Sequence, residues 1–207
     1  KIAWREALFH GLLLLLVLTA LFPRTFFQGE MTLPGGLMYE VPPWNAYAPE
    51  DLRETKNWLP REAMFVFNLW YALAMESVQN GEWPLWNHLQ MSGLPLLANY
   101  QTAPFYPLTM AHLVTDRYIA NTLIMLGRLW LCGLTAYLCA RKLGLRVSAA
   151  RFFSIAFMAN GYVITWYYWP EPGVIAWLPI LFLGTEMIVR QEFWRGGCTM
   201  ALGAVLV

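Results

Sequence analysis

Hydrophobic residues are concentrated in five runs along the chain, which cover residues 7–22, 119–140, 152–169, 174–189 and 196–207. A membrane-spanning helix needs about 20 mostly apolar residues, and the first four runs approach or reach that length. The fifth run would form a helix only about 18 Å long, shorter than a hydrocarbon core of about 30 Å. The pattern therefore predicts an all-α polytopic membrane protein with four complete transmembrane helices and part of a fifth, in a chain that we expect to continue further.

The first run follows two basic residues, Lys1 and Arg5, and in this respect resembles a secretory signal peptide. A signal peptide ends in a small-residue cleavage site, whereas this run continues into the sequence PRTFF. We therefore expect residues 1–22 to be retained as a signal anchor that forms the first transmembrane helix.

Basic residues flank the predicted spans at three places: Lys1 and Arg5, then Arg141, Lys142 and Arg146, then Arg190 and Arg195. These places lie on one side of the membrane if every run crosses it. Cytoplasmic loops carry an excess of Lys and Arg, so we expect a multi-pass protein of the cell inner membrane with a cytoplasmic N-terminus. The turn WYYWPEPG, residues 166–173, then lies outside, and its aromatic residues suit a membrane interface.

Residues 23–118 would then form a large first extracytoplasmic loop. Loops longer than about 15 residues are usually functional or disordered, and this loop is too rich in aromatic residues to be disordered. The pattern predicts a helix at about 61–80, with Pro60 in its first turn and Gly81 at its end. Its apolar part is too short to span, so we expect an interfacial helix that lies on the outer membrane surface or packs over the spans.

The composition supports a membrane protein and narrows its chemistry. Charged residues make up 13% of the chain, against about 25% in soluble domains, and the net charge of +1 argues against a nucleic-acid partner. Cys132, Cys139 and Cys198 all lie in apolar runs without metal-ligand spacing. We interpret them as small hydrophobic residues and predict no metal site from them.

The motifs of soluble enzymes are missing from the sequence: there is no G-x-S-x-G, Walker loop, H-E-x-x-H or C-x-x-C. His10 lies inside the first predicted span. It could ligate a haem or chlorophyll, or it could be hydrogen-bonded within the helix bundle, and a single histidine favours the second interpretation.

Eight of the 13 acidic residues lie in the predicted loop before Asp116: Glu30, Glu40, Glu50, Asp51, Glu54, Glu62, Glu76 and Glu82. A carboxylate at this place could act as general base for an acceptor hydroxyl, or hold a divalent cation against a phosphate. The alternative is a solvated loop surface, which suits Glu50, Glu54 and Glu76. Glu62 and Glu40 differ because apolar neighbours disfavour the charged form and can tune a base, so these two are the candidate catalytic residues.

Two further predictions concern the spans. Glu171 stands between prolines outside the fourth run, where we expect it to cap the following helix. Asn160 and Gly161 interrupt the third run, and a small–polar pair in a span indicates close helix packing.

The stretch GEWPLWNHLQMSGLPLLANYQTAPFYPL, residues 81–108, resembles the bacterial YfhO-like membrane protein family. Members of that family carry a pattern close to G-x-x-P-L-W-N-P, then G-x-P-L-L-A-N-x-Q, then F-Y-P-L, in the same order and spacing. The upstream LPGGLMYEVPPW and the downstream LTAYLCARKLGLRVSAARFFSIAFMANGYV are also similar to family segments. Glu62 stands where the family usually has Asp, Leu69 where it has Pro, and His88 where it has Pro.

The family resembles the wider group of GT-C membrane glycosyltransferases, which take sugar from a polyprenyl-phosphate carrier and use an acidic residue of a large first outer loop. The resemblance implies that the chain is the N-terminal part of such an enzyme, with Glu62 or Glu40 as base or cation ligand. It also implies the residues that would bind the substrate, which are Trp86, Asn99, Tyr100, Gln101 and Tyr106.

Two other functions remain open at this stage. The chain could be a non-catalytic scaffold or accessory subunit that assembles with other membrane subunits. It could also transport a lipid-linked sugar, which would require paired polar residues deep in the spans, and Asn160 and Glu186 are the obvious candidates.

Overall fold

The computed structural model describes residues 4–50 and 58–205. Lys1, Asp51 and Glu54, to which the sequence patterns assigned roles, lie outside the described residues, as do the last two residues of the fifth apolar run. In the described parts helices predominate and strands are limited to two short segments, which confirms the predicted all-α fold.

The α-helices in chain order are α1 (Trp4–Leu21), α2 (Pro23–Gln28), α3 (Asn68–Gln79), α4 (Arg117–Lys142), α5 (Val147–Met158), α6 (Gly161–Thr165), α7 (Glu171–Ile175), α8 (Leu178–Val189) and α9 (Phe193–Val205). Shorter helical turns are 3₁₀ at Gly35–Glu40, Trp44–Tyr47 and Thr109–Leu113, and π-helical at Ala63–Phe67. Two short strands, β1 (Trp86–Asn87) and β2 (Leu94–Pro95), pair antiparallel, with Trp86 opposite Pro95.

The chain divides into two compact units. The membrane unit consists of Lys1–Glu30 and Met125–Val207, and the loop unit consists of Met31–Ile124. The long helix α4 contributes its first residues to the loop unit and the remainder to the membrane unit.

Four helical stretches in the described chain are long and apolar enough to cross a membrane: Trp4–Leu21, Arg117–Lys142, Val147–Thr165 and Glu171–Val189. This confirms the four predicted complete spans. The last two stretches are not continuous helices, however, because α5 is separated from α6 at residues 159–160 and α7 from α8 at residues 176–177.

The core of the membrane unit lies where α1, α4 and α5 approach one another. Leu14, Leu129 and Met158 are fully buried there. Gly133 of α4 permits the approach, because a Cβ at this position would lie 2.9 Å from the methyl groups of Leu14. Small residues let helix backbones come close when the surrounding lipid supplies no hydrophobic driving force.

Helices α8 and α9 form a tightly packed antiparallel pair. A Cβ on Gly196 would lie 2.7 Å from the carbonyl oxygen of Gly184, and a Cβ on Gly203 would lie 2.7 Å from Leu181. The fifth apolar run therefore packs along its neighbour through glycines.

In the loop unit, the π-helical turn Ala63–Phe67 continues directly into α3. The 3₁₀ helix Thr109–Leu113 packs against α3, and Leu96, from the end of the β1–β2 ribbon, is buried beside Ala74 and Met75. The predicted helix at about 61–80 is thus present, and it forms the centre of the loop unit.

Candidate functional site

A hydrogen-bonded hub holds the β1–β2 ribbon of the loop unit against α3. The Gln90 side-chain oxygen accepts two bonds, from the Trp70 indole N–H at 2.8 Å and from the Asn87 amide at 3.1 Å. The Asn87 oxygen in turn accepts from the backbone N–H of Leu89 at 2.9 Å. Because Asn87 is only 2% exposed, the Trp-Asn dipeptide of the pattern serves to build the loop.

Trp86, the first predicted substrate-binding residue, lies over the backbone of Gly93. A Cβ on Gly93 would stand 2.3 Å from the indole nitrogen of Trp86, and the φ of Gly93 is +111°. Only glycine suits this position, since the conformation and the close approach both exclude a side chain. The outer part of the Trp86 ring remains exposed.

The other predicted substrate-binding residues lie in one consecutive turn and just beyond it. The Asn99 side-chain oxygen accepts from the backbone N–H of Gln101 at 3.2 Å, which forms an Asx turn. Tyr100, at the tip of this turn, is 86% exposed. Gln101 and Tyr106 are half-buried. The turn therefore brings Asn99, Tyr100 and Gln101 together, and Tyr100 is the one it presents most openly.

The two candidate catalytic acids lie on adjoining segments of the loop unit. Glu40 ends the 3₁₀ helix Gly35–Glu40, which packs against the π-helical turn that begins just after Glu62. Glu40 is half-buried, whereas Glu62 is exposed, so the apolar surroundings expected for Glu62 are not found. The Glu62 carboxylate makes no hydrogen bond or ion pair with any residue that the structure describes.

Metal ligation was the other role considered for these acids. Within residues 4–50 and 58–205, no three His, Cys, Asp or Glu side chains lie together as metal ligands would. A divalent cation at Glu62 or Glu40 would therefore take most of its ligands from substrate oxygens and water.

His10 is buried in the membrane unit as part of a hydrogen-bonded chain. The Ser154 hydroxyl donates to the carbonyl of Gly133 at 2.6 Å, so the His10 Nε2–H must donate to Ser154, 2.8 Å away. The His10 ring also stacks on Tyr137, with centroids 3.8 Å apart. This supports the interpretation of His10 as a residue bonded within the bundle, and it leaves Ser154 without a base to activate it.

A second cluster of polar side chains adjoins His10 through Tyr137, and it was not predicted from the sequence. The Glu6 carboxylate accepts from the Tyr137 hydroxyl at 2.8 Å and from Arg141 Nε at 2.6 Å. It joins α1 to the C-terminal end of α4. The sequence contained a signal for it, a glutamate at the start of an apolar run, but its arginine partner lies 135 residues away.

Three hydrogen-bond donors on one face of α4 lie against residues 169–176, and this contact was also not predicted from the sequence. Arg128 donates to the Trp169 carbonyl at 3.0 Å, and Thr135 donates to the Ala176 carbonyl at 2.6 Å. Between them, the Cys132 thiol lies 3.7 Å from the carbonyl of Pro172. Spacings of four and three residues place these side chains on one helix face. Arg128, Cys132 and Thr135 form a carbonyl stripe. It supplies donors to the Trp169 and Ala176 carbonyls near the break between α6 and α8, whereas the Pro172 carbonyl also accepts from the Ala176 N–H at 3.0 Å.

Two sequence predictions about this region are corrected. Glu171 is the first residue of α7, where its charge suits the helix dipole, but it makes no capping hydrogen bond. Asn160 caps α6 instead, by accepting from the N–H of Val163 at 3.0 Å. Gly161 has open space where a side chain would stand, so it does not mark close helix packing.

Between α6 and α7, Tyr167 and Tyr168 lie in contact, with ring centroids 4.0 Å apart. Burial raises the pKa of both phenols above the ordinary tyrosine range. Both hydroxyls therefore stay protonated and act as neutral hydrogen-bonding groups.

Comparison of the chain with known protein families found no family model that matches it. Searches of the curated proteins and of the solved structures likewise found no match.

Proposed function

We propose that the chain is part of a membrane glycosyltransferase that takes sugar from a polyprenyl-phosphate carrier on the extracytoplasmic side of the cell inner membrane. The observation that carries the proposal is the loop unit, a compact fold inserted between the first two candidate spans, with two acids on adjoining segments. An enzyme with a lipid-borne donor needs a folded surface tied closely to the membrane. The resemblance to the YfhO-like family supplies the reaction.

Glu62 is the proposed catalytic base. Its carboxylate is exposed and makes no bond to a described residue, so it is open to a substrate hydroxyl. The acceptor oxygen would bond to the anomeric carbon as the bond from that carbon to the phosphate oxygen breaks. The hydroxyl proton would pass to Glu62, and polyprenyl phosphate would leave with the bonding electrons. Glu40, on the adjoining 3₁₀ helix, is the second candidate for this role.

The same two residues would hold a divalent cation if the enzyme uses one. Mg²⁺ is commonly bound by one or two carboxylates together with substrate phosphates and water, and Glu62 and Glu40 supply such carboxylates. A cation there would neutralise charge that develops on the leaving phosphate.

Tyr100 is the proposed contact for the sugar ring, because its aromatic face is the most exposed among the predicted substrate-binding residues. Gln101 adds an amide that can both donate and accept hydrogen bonds with hydroxyls. Tyr106 is half-buried and follows in the same stretch. Trp86 and Asn99 would act indirectly, by fixing the turns that present these side chains.

The proposed orientation rests on the basic residues at or beyond the C-terminal ends of α4 and α8, which are Arg141, Lys142, Arg146, Arg190 and Arg195. By the positive-inside rule these lie in the cytoplasm, together with the N-terminus. The loop unit would then be extracytoplasmic, with membrane lipid and the polyprenyl-phosphate sugar as its partners.

The test is Glu62→Gln in the full-length protein, with Glu76→Gln as the matched control, since Glu76 is an exposed acid of α3. Transfer of labelled sugar from a polyprenyl-phosphate donor to envelope glycan is measured in membranes. We expect Glu62→Gln to lower the transfer rate about 100-fold or more, as loss of a general base does, and Glu76→Gln to leave it unchanged. Normal transfer by Glu62→Gln would refute the assignment.

Transport of a lipid-linked sugar is the second candidate, favoured by the two interrupted spans and the buried Arg128. Interrupted helices next to a buried charge are typical of substrate sites in transporters. Movement of a fluorescent carrier lipid across proteoliposomes would separate the two functions, because a transporter moves it with Glu62→Gln as with the native chain. If both assays are negative, a non-catalytic scaffold that assembles with other membrane subunits is the remaining function.

A further inference from the structure

We propose that a groove at the C-terminal end of α3 binds a pyranose ring of a glycan. The groove encloses about 240 Å³ and is lined by Val78, Gly81, Glu82, Trp83, Pro84 and Phe105. It lies wholly within the loop unit and contains none of the residues proposed above for sugar transfer. Binding there does not require the chain to be a transferase.

The aromatic walls of the groove are the first argument. Trp83 is 68% exposed and Phe105 is 47% exposed. Their ring centroids lie 5.6 Å apart with an angle of 66° between the rings, so the two rings meet as a corner. Aromatic faces carry negative charge density at their centres. The C–H bonds on one side of a pyranose ring present the matching positive surface.

The end of α3 fixes the positions of Glu82 and Trp83, which is the second argument. Gly81 has a φ of +77°, and the backbone N–H of Glu82 donates to the carbonyl of Ser77 at 2.9 Å. The N–H of Gly81 donates to Val78 at 3.0 Å. These two bonds form a Schellman motif. The buried Pro84 follows with its restricted backbone, so the groove needs little ordering when a ligand enters.

The carboxylate decides which sugars fit. Glu82 is exposed and forms no ion pair with any cation that the structure describes. Its two oxygens accept hydrogen bonds only, so they suit the hydroxyl groups of a neutral sugar or the ammonium of an amino sugar. A phosphate or an acidic sugar would be repelled by the same charge. The groove is therefore suited to a glycan and not to the phosphate end of a carrier lipid.

A membrane surface is the rival occupant, because Trp and Phe are also common at lipid headgroups. The carboxylate of Glu82 in the groove lining argues for the sugar, since anionic leaflets repel an acid and the hydrocarbon of the bilayer offers it no donor. The two occupants predict different results in the same preparation.

The experiment uses the full chain in lipid nanodiscs with three probes: methyl α-glucopyranoside, glucosamine and glucose 6-phosphate. Binding is measured by saturation-transfer NMR and titration. We expect the first two sugars to bind with millimolar Kd and with the strongest transfer at ring C–H protons, and glucose 6-phosphate to bind at least fivefold more weakly. Equal binding of all three would overturn the role of Glu82.

Two variants and two controls locate the site. Trp83→Ala should abolish saturation transfer, and Glu82→Gln, which keeps the size of an exposed side chain, should weaken binding at least fivefold. The controls are Trp4→Ala, at another exposed tryptophan, and Glu76→Gln, at another exposed acid. If all four variants bind the sugars equally well, the assignment of the sugar site to this groove is refuted.

The rival is tested with brominated lipids, which quench tryptophan fluorescence at the membrane interface. We expect native chain and Trp83→Phe to lose the same fluorescence intensity to the quencher. A loss that depends on Trp83 would assign the groove to the membrane and overturn the proposal. Glu62→Gln should still bind the sugars, so failure of the transferase proposal is distinguishable from failure of this one.

Discussion

Buried polar groups obtain their hydrogen-bond partners in different ways in the membrane unit and in the loop unit. Apart from the cluster around Glu6 and His10 and two threonine–methionine contacts between α8 and α9, the side chains that join segments of the membrane unit donate to backbone carbonyls, as Trp130 does to Gly11 and Thr135 to Ala176. In the described part of the loop unit, distant segments are joined chiefly by side chain to side chain, as Asn121 to Asn68 at 2.7 Å.

The difference follows from the surroundings of each unit. Where a span is interrupted, its free carbonyls have no water to bond, so a neighbouring helix must supply donors. In the loop unit many backbone N–H and C=O groups bond within short turns. The irregular segments must still be held in one arrangement by contacts between side chains. Paired side-chain amides do this with directional bonds. A variant at either type of contact should therefore weaken one unit and spare the other.

The largest effect is expected from Gly196→Val in the membrane unit. A Cβ there would meet two backbone atoms of α8, the oxygen of Gly184 at 2.7 Å and the nitrogen of Ile188 at 2.8 Å. These backbone atoms cannot rotate away as a side chain can, so we expect the clash to reduce the free energy of α8–α9 packing by about 3 kcal/mol.

Gly197→Val is the matched control, because the neighbouring Gly197 has open space around its Cα and carries the same helix-propensity change. Hydrogen exchange by mass spectrometry in detergent should rise in peptides of α8 and α9 for Gly196→Val alone. A comparable rise in both variants would show that helix propensity, not packing, holds the pair.

A smaller effect, of about 2 kcal/mol, is expected from Gln90→Met in the loop unit. This change keeps the volume but removes the acceptor shared by Trp70 and Asn87, and a buried donor without a partner costs about 1–3 kcal/mol. Exchange should rise in peptides of α3 and the β1–β2 ribbon. Gln79→Met, on the exposed end of α3, is the control. Spread of the effect into α8 and α9 would contradict the expectation that such a variant weakens one unit and spares the other.

The smallest effect, about 1 kcal/mol, is expected from Thr135→Val on the carbonyl stripe. The hydroxyl that bonds the Ala176 carbonyl at 2.6 Å is lost while the shape is kept, and hydrogen bonds between transmembrane helices are typically worth this much. Thr19→Val is the control, since the Thr19 hydroxyl donates to the Leu15 carbonyl of its own helix α1. If the unfolding midpoints of Thr135→Val and the native chain agree within experimental error, the hydrogen bond from Thr135 is dispensable for stability.

Much of the fold could be predicted from the sequence, and particular residues explain where prediction ended. The spans and the helix beginning near Pro60 follow from local apolar runs and from breakers at their ends. The break at residues 176–177 is bonded by Thr135 of α4, which lies 41 residues away in the chain, so no local pattern reveals it. Asn160 did signal an interruption, but its role as a cap depends on the backbone it creates.

The candidate site was less predictable for a related reason. The apolar residues on either side of Glu62 in the sequence suggested that its side chain is buried, yet it lies on the exposed side of its helical turn. Exposure depends on how the turn packs and not on the adjacent residues in the sequence. The hub at Gln90 joins residues twenty positions apart, and sequence alone could not separate such structural polar residues from binding ones. Tyr100 and Gln101 were predicted from the family resemblance, and the structure adds that the Asx turn at Asn99 presents them.

The carbonyl stripe also bears on how the chain enters the membrane. Arg128 is a charged residue within the second candidate span, and an arginine inside a span is costly to insert. Its hydrogen bond to the Trp169 carbonyl comes from the segment that leads into the fourth candidate span. We therefore expect the insertion of α4 and the placement of residues 169–176 to be coupled, because displacing that segment removes an acceptor from the guanidinium.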